Sequence, residues 1–230
     1  NGQCTLLESH HIEKIKALTT FNEKEARVFV RAETQGQQAS VHGKIALNSG
    51  KPQLDLQAES ASFEPAVIVE DIPYAGAVGF AAHITGDIDN LKVDANLQVP
   101  QGSIQGIGFA NLTAKAVYAD SMVVIQEASA DIAGGNINAL GTFDAKSYDF
   151  TGNVKLIGVS AGELASIASN QGINTDFSAA AGNINGDFAL AGNGHNIEDV
   201  QLYGAINGNG LSYQGVVVDN LKVSLARQGK

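Results

Sequence analysis

The chain contains no tryptophan, one cysteine and four prolines in 230 residues. A lone Cys4 excludes an internal disulfide framework and any CxxC-type metal or redox motif. Aromatic residues are only 6% of the chain, so burial has to rest on Ala, Val, Ile and Leu. Positive charge is scarce as well: 14 Lys and Arg stand against 24 Asp and Glu, a formal net charge of −10. With no Lys/Arg-rich block anywhere, a general nucleic-acid or anionic-membrane binder is excluded, because affinity for phosphate needs clustered cations. No apolar run approaches the ~18 residues of a membrane-spanning helix. The chain opens at Asn1 without a basic and then apolar leader, and a strand-like pattern is still running near Leu225. It reads as an excerpt of a longer protein.

What is present is a period of two, the signature of strands with one wet and one dry face. Val41, Gly43, Ile45 and Leu47 alternate with His42, Lys44 and Ala46. After the turn-like Asn48-Ser49-Gly50-Lys51-Pro52, Leu54, Leu56 and Ala58 alternate with Asp55 and Gln57. The same beat returns at Leu91–Val99, Ile137–Phe143, Phe150–Gly158, Ile184–Leu190, Val200–Ile206 and Leu221–Leu225. Polar connectors such as Gly134-Gly135-Asn136, Gly192-Asn193-Gly194 and Asn207-Gly208-Asn209-Gly210 separate the segments. The pattern predicts an all-β chain, a long antiparallel meander, because parallel strands would need helical crossovers. Glycines at 43, 86, 106, 141, 152, 158, 186, 204 and 215 are placed mid-strand, where they permit bends and close approach.

Two interruptions break the beat. Residues 160–169 predict one short helix, with Ser160 and Glu163 at the spacing of a capping box in which each side chain meets the other residue's free N–H. Ser62 to Tyr74, with Pro65 and Pro73, is an irregular counterpart. Gln105-Gly106 to Leu112 also aligns without a gap with Gln214-Gly215 to Leu221. These matches divide one continuous β domain over 1–230 into two degenerate repeats, about 39–140 and 141–226.

An amphipathic sheet hides its apolar face by closing into a barrel, packing on a second sheet, or bending around an inner groove. Small inward residues and mid-strand glycines favour the bent form. The stretch Val41 to Ala58, the break Val159-Ser160-Ala161-Gly162-Glu163-Leu164-Ala165-Ser166-Ile167 and the recurring Gly-x-Ile/Phe-x-Leu-x-Gly strands resemble the AsmA-like/TamB family. The resemblance implies a U-shaped "β-taco" whose hydrophobic groove spans the periplasm. It also implies a role in carrying phospholipid between inner and outer membranes, or in assisting outer-membrane protein assembly. Inner-membrane anchoring and contacts with an outer-membrane barrel partner would lie in parts of the chain not present here. Acyl chains in such a groove gain roughly 0.8 kcal/mol per buried CH₂. The expected lining is Val41, Ile45, Leu54, Leu56, Ile84, Leu91, Val93, Leu97, Ile137, Phe143, Val154, Leu156, Ile184, Phe188, Leu202 and Ile206. On alternation alone, a dry sandwich core would use the same residues.

No catalytic constellation, cofactor motif or metal-ligand spacing is found, so no enzyme is expected. His10 and His11 are adjacent and point to opposite faces of a strand. His42, His83 and His195 are isolated, and Gly86-Asp87-Ile88-Asp89-Asn90 lacks the later ligands of a calcium loop. The G-x-G triplets have no following helix to hold a dinucleotide. Two alternatives to lipid transport remain: a scaffold or chaperone for outer-membrane (autotransporter) assembly through an open sheet edge, and a structural or adhesive β-solenoid.

Overall fold

The computed structural model describes residues 4–5, 11–12, 14–47, 50–67, 73–170 and 180–227. Two short strands, β1 (Cys4–Thr5) and β2 (His11–Ile12), pair with each other. His10, Asn48, Ser49 and residues 68–72 of the expected irregular stretch lie outside the described residues.

The other strands are β3 (Lys14–Phe21), β4 (Glu25–Thr34), β5 (Gln37–Ala46), β6 (Gln53–Phe63), β7 (Tyr74–Gly76), β8 (Val78–Asp87) and β9 (Asn90–Ile104). They continue with β10 (Ile107–Ala119), β11 (Met122–Ile132), β12 (Gly135–Asp144), β13 (Asp149–Ser160), β14 (Ala181–Asn193), β15 (Asn196–Tyr213) and β16 (Val216–Arg227). These 14 strands form one open sheet in the order β16 back to β8, then β6 to β3, with β7 beside β9. Among the described residues the one α-helix, α1 (Ala161–Asn170), follows β13. The all-β meander with one short helix agrees with the sequence pattern.

By compactness the chain divides into Asn1–Gly106 with Thr113–Met122, and Ile107–Leu112 with Val123–Lys230. In the first unit the strands stack in register, and the row Thr19, Val28, Gly43, Leu56, Ile84 and Val93 crosses six of them. The best-buried side chains, Val99, Thr34, Ser40 and Ser60, belong to the end of the unit where a 3-10 turn (Pro65–Val67) and β7 replace regular hairpins. There the Ser60 hydroxyl donates to the Gln38 carbonyl at 2.6 Å, and the Glu64 N–H donates to the Gln37 amide oxygen at 2.6 Å. The Gln-Gly pair after β9 makes a two-residue turn, Gln105 at φ 51° and Gly106 at φ 79°.

In the second unit the row Ile137, Leu156, Gly186, Ile206 and Val223 crosses five strands. Here the packed region is the joint between β13 and α1, where Val159 is wholly buried beside buried Ala130, Ala133 and Ala161. A bulge between Leu156 and Val159, with Gly158 at φ 63°, turns the chain into the helix.

Three expectations are corrected. Gly106 and Gly215 are not mid-strand: each is the second residue of a hairpin turn, and Gln214 and Gly215 have φ 49° and 83°. Positive φ at both turn residues is what the right-handed twist of the flanking strands demands. Asn207 to Gly210 is not a connector either, since β15 runs through it and pairs Asn207 with Asn185 and Lys222. Ladder partners on both sides outweigh the turn-forming composition. Only half of the capping box forms. The Glu163 N–H donates to the Ser160 hydroxyl at 3.3 Å, whereas the Ser160 N–H donates to the Ala133 carbonyl at 2.8 Å.

Candidate functional site

The register settles which of the expected lining residues share a face. In the first unit Val41, Ile45, Leu54, Leu56, Ile84, Leu91, Val93 and Leu97 occupy alternate positions of β5, β6, β8 and β9, and the cross-strand pairs put all of them on one side. In the second unit Ile137, Phe143, Val154, Leu156, Ile184, Phe188, Leu202 and Ile206 do the same on β12 to β15. Every one of these side chains is half-buried. A face sealed under a second sheet would leave such residues almost wholly buried. Outward neighbours such as Asp55, Gln57, Thr151, Asn153 and Lys155 are exposed.

The faces are smoothed by side chains lying over glycines. A Cβ on Gly186 would meet the Phe188 ring at 2.6 Å, and one on Gly204 would meet it at 2.5 Å. The Leu211 side chain occupies the space above Gly208, and the Phe150 ring lies 3.0 Å from where a Gly192 Cβ would be. Glycine here makes room for a neighbour's ring, in the way aromatic side chains cover strand glycines elsewhere.

A cavity of about 720 Å³ lies between α1 and the sheet in the second unit. Its helix wall is Ala161 and Ala165, one turn apart, and its sheet wall includes Ala181, Ile184, Leu211, Val216, Val218 and Leu221. The row Val159, Ile184, Gly208 and Leu221 carries the apolar face into it. Among the described residues no charged side chain lines it; the polar members are Ser212, Tyr213 and Gln214, and the Gln214 amide donates to the Tyr213 hydroxyl at 3.0 Å. Its size falls in the ~300–1,000 Å³ range of small-molecule pockets. Val216 is 66% exposed and Leu221 40%.

Of the residues expected to line a groove, Ile184 borders this cavity; Ala161, Ala165, Leu211 and the β16 residues were not among them. The alanines four apart on α1 were a readable signal for a small-residue wall. Leu211 was hidden behind Asn207–Gly210, and β16 was visible only as a strand.

Charged groups are kept to the strand ends and the polar face. The amides of Asn111 and Asn136 donate to Asp131 and hold its carboxyl below the usual range. Asn193, and then Ser147, do the same for Asp149. The Asn90 amide and the backbone N–H of Asp89 lower Asp87. Asp87 thus closes the β8–β9 turn as an Asx cap. His83 meets Asp55 at 2.8 Å, and the His195 ring lies 3.9 Å from that of Tyr148. Among the described residues no three His, Cys, Asp or Glu side chains converge as a metal site. No helix among them is long and apolar enough to cross a membrane.

The family model for the TamB C-terminal domain matches residues 27–216. The chain belongs to the TamB family. Comparison with curated proteins and with solved structures gives no significant match. TamB proteins are periplasmic, inner-membrane-associated components of the cell envelope and not enzymes, and they assemble with an outer-membrane partner. Membership gives this chain a periplasmic, envelope-associated role.

Proposed function

We propose that this TamB segment carries the acyl chains of phospholipids along its apolar face between the inner and outer membranes. The observation that supports this most is the cavity of about 720 Å³ under α1, whose described lining residues are all uncharged and which joins the apolar face through the Ile184 row. A chain burying ten methylenes there would gain about 8 kcal/mol gross. With no charged hook among the described lining residues, the gain would be spread along the chain, which suits passage better than tight capture. The stretches of about 39–140 and 141–226 read as two degenerate repeats of one β-module.

The reading is tested by extracting lipid from the purified protein for mass spectrometry and by placing photo-crosslinkers at positions 54, 93, 156 and 165. Phospholipid should co-purify, and crosslinks to acyl probes should form at all four positions. Ala165→Trp, which fills the cavity from the helix side, should abolish capture there. Lipid-free protein with silent crosslinkers would end the proposal.

A further inference from the structure

The apolar row of β16 contains a cation. Leu221, Val223, Leu225 and Arg227 stand opposite Gly208, Ile206, Gly204 and Leu202 of β15. Strand alternation puts all four on the side of Ile137, Leu156 and Phe188. Among the described positions of β12–β16 that form this side, Arg227 is the one charged residue. Lys155, Asp187 and Lys222 fall on the other side. Lys222 and Ser224 show that β16 otherwise sends its polar residues that way. No carboxylate on the described part of the apolar side stands beside Arg227, and among the described residues it forms no ion pair.

Leu221 and Arg227 meet different surroundings. Leu221 lines the cavity under α1, whereas Arg227 lies outside it. From Leu221 to Arg227 the strand rises about 20 Å. One phospholipid tail is about 15 Å long, half the ~30 Å hydrocarbon core of a bilayer, and the glycerol linkage adds the remaining step to the phosphate. A lipid whose tail tip enters the cavity therefore presents its phosphate at Arg227.

We infer that Arg227 holds the phosphate of a phospholipid whose tail lies along Leu225, Val223 and Leu221 into the cavity under α1. This rests on the lipid reading above and adds the orientation: head towards Arg227, tail towards α1. The guanidinium fork bonds a phosphate through two parallel N–H···O contacts, and its methylene stem stays on the apolar side beside Leu225. A diacylglycerol has the same tails and no phosphate for the fork, so Arg227 selects lipids that carry one.

The test uses the whole 230-residue chain with a photo-crosslinker at position 165, titrated with phosphatidylglycerol and with diacylglycerol of the same tails. Arg227→Gln should raise the half-saturating concentration of phosphatidylglycerol about tenfold and leave that of diacylglycerol unchanged. Arg227→Lys, which keeps the charge and loses the fork, should fall between. Lys222→Gln removes the same charge from the other side and should change neither. Inorganic phosphate should not compete at the concentration where phosphatidylglycerol saturates; competition there makes Arg227 a free-anion site and overturns the assignment. So does an Arg227→Gln effect that is absent, equal for both lipids, or matched by Lys222→Gln, while crosslinking itself persists. If neither lipid crosslinks at position 165, the lipid reading fails and this inference with it.

Discussion

Replacing Leu156 by glutamate separates an open apolar face from a sealed core. Leu156 lies between Ile137 and Gly186 in its row and is half-buried. Full burial of a leucine stabilises by about 1.5–3 kcal/mol, so a half-buried one contributes about 1–1.5 kcal/mol. On an open face the new carboxylate reaches water and adds little further cost. Stability should fall by about 1–2 kcal/mol, which at a typical slope moves the urea midpoint by about 0.5–1 M. Under a sealing layer the same carboxylate would be desolvated without a partner at a cost of several kcal/mol, enough to unfold a marginally stable domain. The assay pairs urea denaturation followed by far-UV circular dichroism with acyl-probe crosslinking at position 154. Leu156→Glu should fold and lose the crosslink. Ile157→Glu, one residue along at a 44% exposed position, should do neither harm. A Leu156→Glu protein that fails to fold, or that still captures the probe, refutes the reasoning.

Gly186→Ala should destabilise by about 1–3 kcal/mol because its methyl meets the Phe188 ring; adding Phe188→Leu should recover part of the loss in chemical denaturation, and strict additivity would rule out the contact as cause. Ser160→Ala removes the acceptor for the Glu163 N–H and should cost about 1 kcal/mol, seen as faster hydrogen exchange in α1 while β12–β14 stay protected. Asp87, Asp131 and Asp149 have carboxyls held below their ordinary value by amide and hydroxyl donors. Their contribution is therefore complete above the unfolded aspartate value near ~3.9 and is lost as pH falls through the lower folded values. The urea midpoint should decline below about pH 4, and Asn136→Ala together with Asn193→Ala should flatten that decline.

Alternation at Leu54–Leu56 or Val154–Leu156 was legible because a strand's period of two is written directly into the residue order. The helix at α1 was legible for a similar reason, since Ser160 and Glu163 act over one turn. Gly106 and Gly215 were misplaced because an isolated glycine serves a strand bend and a hairpin turn equally well, and only the ladder on either side decides.

By itself the sequence determined the β meander, the single helix, the face on which Ile45, Leu91 or Ile206 would lie, and membership of the TamB family. The tertiary structure alone decided that β15 passes through Asn207–Gly210, that Ser160 gives its N–H to Ala133, and that Ala161, Leu211 and Leu221 surround one cavity. The division has a physical cause. Local periodicity depends on neighbours two to four residues away, whereas a cavity wall is assembled from strands and a helix far apart in the chain, whose proximity is fixed only when cross-strand register is set.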